Sequence, residues 1–215
     1  TINEFKYLQD LMEAVEPQVV IGDYLLYSVI GKGNFASVWY GVHSIMKYPV
    51  AVKRFSKSEK NTPEIMATTR REVMIMQMID HPFIAQLYQV LEDDKYVYIV
   101  MEYAERGTLM RYVNQYGPLP EEEVRRIFIE IIAILQYLHS EKRIIHRDLK
   151  AENILLDKNN HVKLIDFGLS NILNHYDVLN TVCGSPAYVA PEILNSRPYA
   201  QAADIWSAGI LLFAI

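Results

Sequence analysis

Cysteine is nearly absent: Cys183 is the single one in 215 residues. No disulfide can form within the chain and no thiolate metal cluster can be built. A reducing compartment fits this best, so the expected location is cytoplasmic or nuclear. Long apolar runs are also missing. The greasiest stretch, Ile205-Trp206-Ser207-Ala208-Gly209-Ile210-Leu211-Leu212-Phe213-Ala214-Ile215, is too short to span a bilayer and reads as a buried helix cut by the chain end. The start, Thr1-Ile2-Asn3-Glu4-Phe5, lacks the basic-then-apolar order of a secretory signal. Positive charge is not in surplus: 21 Lys and Arg stand against 26 Asp and Glu, a net charge of −5. That argues against a nucleic-acid backbone as the main partner. Repeats and low-complexity segments are lacking too.

What is there is an ordinary globular mix, 51% hydrophobic and 22% charged, long enough for one large domain or two lobes. Phe5, Leu8, Met12 and Val15 have near-helical spacing before Pro17. They suit a short amphipathic extension or a mobile terminus. From Tyr24 the pattern turns to strands: Tyr24–Ile30, Ser37–His43 and Val50–Phe55 are rich in aromatic and β-branched residues. Thr62-Pro63-Glu64 reads as a helix start, with Thr as N-cap, and the helix is expected to run to about Ile79. Strands follow at Gln86–Leu91 and Tyr96–Met101 across the turn Asp93-Asp94. Then Glu121–His139 carries Val124, Ile127, Phe128, Ile131, Leu135 and Leu138 on one face, which predicts a core-facing helix. Ile154–Leu156 and Val162–Ile165 read as a hairpin across Asp157-Lys158-Asn159-Asn160.

Three blocks carry chemistry. In Gly31-Lys32-Gly33-Asn34-Phe35-Ala36-Ser37-Val38 the glycines would let the backbone approach a phosphate without a Cβ clash. An ordinary hairpin turn has the same composition. The glycines lead into a strand rather than a helix, and no Gly-Lys-Ser/Thr follows, so neither a dinucleotide nor a Walker loop fits. In Val50-Ala51-Val52-Lys53 a lysine stands among apolar residues on a strand, either solvated or paired. Glu72 shares a helix face with Met76, so its carboxylate can point inward, where it needs a cation, and Lys53 is the candidate. The third block is His146-Arg147-Asp148-Leu149-Lys150-Ala151-Glu152-Asn153, then Asp166-Phe167-Gly168, then Ala190-Pro191-Glu192.

With these blocks in this order the sequence resembles the eukaryotic protein kinase family, over about residue 24 to the chain end. The Lys150 position resembles the serine/threonine subgroup. Thr181-Val182-Cys183-Gly184-Ser185-Pro186-Ala187-Tyr188 resembles the AMP-activated-kinase-like branch of the calcium/calmodulin-dependent group. The resemblance implies an α+β, bilobal fold. Residues 1–23 would be an extension, 24–101 a small antiparallel β lobe with one main helix, 102–107 a hinge, and 108–215 an incomplete, mostly helical lobe. It implies an ATP- and Mg²⁺-dependent kinase acting on protein serine or threonine.

The resemblance also implies residue roles. Lys53, held by Glu72, grips phosphates. Asp148 accepts the substrate hydroxyl proton and Lys150 contacts the γ-phosphate. Asn153 and Asp166 hold Mg²⁺. Ile30, Gly31, Lys32, Gly33, Val38, Ala51, Lys53, Met101, Glu102, Tyr103 and Leu155 hold ATP. His146 invites a proton-shuttle reading, but the resemblance assigns it to a packing column with Phe167, Met76 and Leu87. A phosphate on Thr181, placed by an upstream kinase, would pair with Arg147 and order the loop. Asp204 would brace the catalytic loop from below.

Three departures from the family pattern stand out. Ala36 replaces a glycine, which stiffens the loop. Thr108 replaces a glutamate that reads substrate arginine, leaving Glu152 and a weakened arginine preference. The chain ends at Ile215, where Glu192 is expected to lack an arginine partner and the Ile210–Ile215 face its cover. The 215-residue piece alone is therefore expected to be unstable and weakly active. Two other readings compete: a pseudokinase scaffold, and a small-molecule kinase of similar fold. Lys53, Asp148 and Asp166 are all present, against the first. The Ser185-Pro186 to Ala190-Pro191-Glu192 segment speaks against the second.

Overall fold

A computed structural model describes residues 16–33, 36–57, 63–173 and 178–215. The expected helical segment Phe5–Val15, the loop residues Asn34 and Phe35 and the N-cap Thr62 lie outside them. The described chain divides into two compact units. The first comprises the residues up to Ile65 together with Leu87–Tyr103; the second comprises Met66–Gln86 and Ala104–Ile215.

In the first unit, alternating apolar residues build a sheet of six antiparallel strands. These are β1 (Val19–Ile21), β2 (Tyr24–Lys32), β3 (Ala36–His43), β4 (Pro49–Ser56), β5 (Leu87–Glu92) and β6 (Tyr96–Glu102), in the order β1-β2-β3-β4-β6-β5. Strand β1 lies in the stretch read as an extension; it pairs with β2 through Val19 with Leu26 and Ile21 with Tyr24. Its pattern is too short to stand out from a single sequence.

Paired residues on neighbouring strands face the same side, so the register sorts the sheet into two faces. Val38, Lys53 and Ile99 form one row, and Tyr40, Ala51 and Met101 the next. Trp39, Val52 and Val100 face the other way, with Ser37, Arg54 and Tyr98 beside them. On that second face Tyr24, Leu26, Trp39, Val50, Val52, Tyr98 and Val100 make a buried core. Each such side chain contributes about 1.5–3 kcal/mol when fully buried. Gly41 is required here, since a Cβ would come 2.7 Å from Leu26 and 2.9 Å from the Leu25 carbonyl. The β5–β6 turn is held by Asp93, whose carboxylate accepts from Lys95 N, Tyr96 N and the Tyr98 hydroxyl, each at 2.7 Å. Burial, then this bond, pushes the Tyr98 phenol up to about 12.

Helix α1 (Pro63–Met78) has Pro at its first helical position, as expected. The second unit continues with α2 (Leu109–Tyr116), whose N-cap Thr108 accepts from Arg111 N at 3.1 Å. Gly117 follows at φ 87°. Helix α3 (Glu121–Gln136) opens on Glu121, Glu122 and Glu123 and buries Ile127, Ile131, Ile134 and Leu135. The sequence predicts this helix to His139. Instead it widens into a π turn over Tyr137–Lys142 and stops at left-handed Arg143. The reason is Tyr137, which is buried beside His81 with ring centroids 5.0 Å apart and accepts from Asp80 N at 2.8 Å. The looser turn accommodates both Tyr137 and the adjacent buried Leu138.

Strand β7 (Ile144–Ile145) pairs with β10 (Asn171–Ile172), and the expected hairpin is β8 (Ile154–Leu156) against β9 (Val162–Leu164). A short α4 (Pro191–Leu194) and then α5 (Ala202–Ala214) follow. Helix α5 packs on α3. Expected to be a buried helix whose Ile210–Ile215 face lacks its cover, α5 is two-faced. Ala203, Asp204, Ser207, Ala208 and Leu211 are covered, while Ile205, Trp206 and Phe213 are exposed, Phe213 at 93%.

Candidate active site

Strand β7 delivers the catalytic-loop sequence from the core, since Ile144 and Ile145 are fully buried. Asp204, itself 0% exposed, holds the next turn from below. Its carboxylate accepts from His146 N and Arg147 N at 2.8 Å each and meets His139 Nε2 at 2.8 Å. This is the brace that the family resemblance implies. Arg147 sits at φ 70°, a conformation non-glycine residues adopt only when their surroundings impose it. His146 is buried edge-on against Phe167, centroids 5.2 Å apart. Its Nδ1 accepts from Asp148 N at 3.3 Å and its Nε2 lies 3.3 Å from the Ile165 carbonyl. Both ring nitrogens are thus engaged by backbone, which leaves no proton shuttle and favours packing.

Asp148 is the centre of a polar cluster. Lys150 Nζ donates to Asp148 Oδ2 at 2.7 Å and to Ser185 Oγ at 2.7 Å. Ser185 Oγ donates to Asp148 Oδ1 at 2.8 Å. Asn153 Nδ2 donates to the Asp148 carbonyl at 2.9 Å and to its Oδ2 at 3.1 Å. The carboxylate is therefore fixed from three directions. Engaging its amide nitrogen this way turns the Asn153 carbonyl oxygen to the other side, where it can serve as a ligand. Ser185 was not among the expected site residues. It stands 37 positions from Asp148 in sequence, so only the fold brings it in.

Asp166 also adopts a left-handed conformation, φ 66°, and its Oδ1 accepts from Gly168 N at 3.3 Å. A Cβ on Gly168 would meet that oxygen at 3.2 Å and Glu72 Oε2 at 3.7 Å, so glycine lets the carboxylates of Asp166 and Glu72 lie close together. Glu72 is 2% exposed. Among the described residues no group of three His, Cys, Asp or Glu is assembled to hold a metal. The oxygen donors Asn153 and Asp166 suit Mg²⁺, which takes one or two protein ligands beside phosphate and water. Leu155 is half-buried on β8 and bridges Thr108.

Arg147 and Thr181 meet through Tyr199. Arg147 donates from Nε to the Leu169 carbonyl and from Nη1 to the Tyr199 hydroxyl at 3.3 Å. That hydroxyl donates to the Thr181 carbonyl at 2.7 Å and lies 3.6 Å from Cys183 Sγ. Burial raises the Tyr199 pKa. Thr181 is exposed. Tyr199 was not foreseen either; its 52-residue separation from Arg147 hides the link.

In the first unit Val38, Ala51, Lys53 and Met101 share one face of the sheet, the one opposite the core. Gly31 pairs with Val38. Tyr103 packs edge-on against Tyr40, centroids 5.0 Å apart, and Glu102 ends β6 opposite Val50. Ile30 is exposed on β2 and Gly33 follows that strand. Lys32 ends β2. It pairs with Ser37, so its side chain joins the opposite face, and only its backbone stays with the loop.

The chain belongs to the protein kinase domain family, matching over residues 24–215. It is 43% identical over 201 residues to "Probable serine/threonine-protein kinase MARK-A" of Dictyostelium discoideum, covering 93% of this chain and 19% of that protein. It is 39% identical over 196 residues to "SNF1-related protein kinase catalytic subunit alpha KIN12" of Arabidopsis thaliana, covering 91% of this chain and 40% of that protein. The chain thus spans less than half the length of either relative.

Proposed function

We propose that the protein transfers the γ-phosphoryl group of ATP to serine or threonine hydroxyls of a protein substrate. The observation that carries this is the Asp148 carboxylate, oriented by Lys150, Asn153 and Ser185 on a loop braced by Asp204. Protein kinases as a family use ATP and Mg²⁺, and bound MgATP supplies the phosphoryl group with part of its charge neutralised. Asp148 takes the proton from the attacking hydroxyl as its oxygen bonds to the γ-phosphorus, while the bond from that phosphorus to the β–γ bridging oxygen breaks and ADP leaves with the electron pair. Lys150 offsets charge on the transferred group. Asn153 and Asp166 would hold Mg²⁺ through their side-chain oxygens. Lys53 grips the phosphates, and Ile30, Gly31, Gly33, Val38, Ala51, Met101, Glu102 and Tyr103 of the first unit receive the nucleotide. Such catalysis is mostly positioning and electrostatics.

Phosphorylation of Thr181 by an upstream kinase switches the protein on. Its carbonyl is already tied through Tyr199 to Arg147, so an added phosphate needs only a short rearrangement to reach the guanidinium. The protein works in the cytoplasm or nucleus, which imaging of a tagged full-length copy tests. Incubation of the full-length protein with radiolabelled ATP and a serine/threonine substrate protein tests the activity. Transfer is expected, and Asp166→Asn should abolish it. Nucleotide binding without transfer by the Thr181-phosphorylated protein would mean a scaffold instead. Thr181→Ala is expected to lower activity strongly; unchanged transfer in that variant overturns the switch.

A further inference from the structure

Arg54 neighbours Lys53 in sequence but faces the other way. Its guanidinium lies between two rings, 4.6 Å from the Trp39 centroid and 4.4 Å from that of Tyr96. Stacking of this kind fixes the plane of the group and satisfies none of its N–H donors. Its Nε is shut off from solvent and has no hydrogen-bond partner. No salt bridge to Arg54 is found among the described residues. A buried donor left unpaired is unfavourable and calls for an explanation.

The register adds two more donors to this spot. Lys32 pairs with Ser37, and Ser37 pairs with Arg54, so the three residues form one row across β2, β3 and β4. Ser37 Oγ already accepts from Trp39 Nε1 at 2.9 Å, which leaves its own O–H proton to donate outward. Lys32 is exposed. Strands stand about 4.8 Å apart, so the outer members of the row are roughly 10 Å apart and their long side chains can converge above Ser37. The row therefore offers a guanidinium, an ammonium and a hydroxyl. No acid belongs to the row itself, which continues into Tyr98 and Leu91; the Asp93 carboxylate beyond it already accepts from the Tyr98 hydroxyl, Lys95 N and Tyr96 N.

We infer that the Lys32–Ser37–Arg54 row is a binding site for a phosphorylated side chain of a polypeptide. Three separate donors suit a tetrahedral oxyanion better than a planar carboxylate. The flanking Trp39 and Tyr96 rings give apolar contact to residues beside the phosphate. On the opposite face the adjacent row, Gly31, Val38 and Lys53, is part of the surface assigned above to the nucleotide. An occupant would thus clamp the three strands that carry that surface. This last consequence rests on the kinase reading; the binding itself does not.

The test is fluorescence anisotropy with the full chain and a labelled alanine-rich peptide carrying one phosphothreonine. Peptides with threonine or glutamate at that position, and free inorganic phosphate as competitor, complete the set. The phosphopeptide is expected to bind at least tenfold tighter than the other two peptides. Arg54→Gln and Lys32→Gln should each weaken it about tenfold. Equal binding of the glutamate peptide overturns the phosphate specificity. Competition by inorganic phosphate at the concentration that unlabelled phosphopeptide requires reduces the site to a simple anion site and overturns the polypeptide. Undiminished binding by both variants overturns the location. If Arg54→Gln fails to fold, the exposed Lys32→Gln decides. None of these readouts needs phosphoryl transfer, so a catalytically dead protein with an intact phosphopeptide site would separate this inference from the proposed activity.

Discussion

Asp204 shapes the site from beneath without reaching its surface. It is a fully buried carboxylate meeting two backbone N–H groups and one imidazole. Removing it leaves those donors unpaired in the core. Asp204→Ala is therefore expected to cost about 3 kcal/mol in urea unfolding and to loosen the left-handed turn at Arg147. Ser185 presents the opposite case. Its hydroxyl sits between the Asp148 carboxylate and the Lys150 ammonium, on the half-buried rim of the cluster. Ser185→Ala should leave the unfolding midpoint nearly unchanged and lower kcat about tenfold, the worth of one hydrogen bond to a charged group. Equal kcat in parent and variant would show that Lys150 alone positions Asp148. At this scale the sequence was an uneven guide. Asp148, Lys150 and Asn153 are legible because they sit in one contiguous run, and Asp166 because it opens a short motif of its own. Ser185 and Tyr199 reach the cluster only by folding, and nothing local marks them.

Among the elements, the sheet and the packing of His81 on Tyr137 make the firmest predictions. Gly41 lets β3 press against β2, and the Leu25 carbonyl cannot yield. Gly41→Ala should destabilise by about 1–3 kcal/mol, as overpacking does, and a differential scanning measurement would read it as a lowered midpoint. The contact beyond α1 depends on pH. Burial lowers the pKa of His81, outweighing Glu141 and Asp80, while its Nδ1 accepts from Phe83 N at 3.2 Å. The unfolded chain therefore binds the proton more readily than the folded one. The stability from neutral His81 is present above the ordinary histidine pKa, about 6.5, and is lost as pH falls below it. Between pH 7.5 and 5.5 the Tm of His81→Gln should decline less than that of the parent; parallel curves would remove His81 as the cause. Strand alternation and helix periodicity made most elements readable. The exceptions have local causes. β1 is three residues long, and α3 changes its winding where Tyr137 turns toward His81.

Over these 215 residues, α5 carries the most exposed large apolar side chain among the described residues, Phe213 at 93%. Ile205, Trp206 and Phe213 present a contiguous apolar face to solvent, and patches of this kind promote association. Replacing Phe213 with serine should raise the soluble yield of these 215 residues and lower light scattering on warming, with little change in the unfolding midpoint. A fall in midpoint would mean that Phe213 packs in solution. The division into sheet and helical parts was legible from the change of pattern after Met101, and the family from the motif set. The sidedness of the sheet was not, because it depends on which residues pair. That sidedness also bears on how the gene can change length. Lys53 and Arg54 are consecutive codons with opposite destinations, so deleting one codon within β4 would exchange them and turn the core-forming residues beyond it outward. Within the β3–β4 and β5–β6 hairpins, changes of length therefore belong in the turns 44–47 and 93–95, while the strands flanking them can vary in composition but not in count.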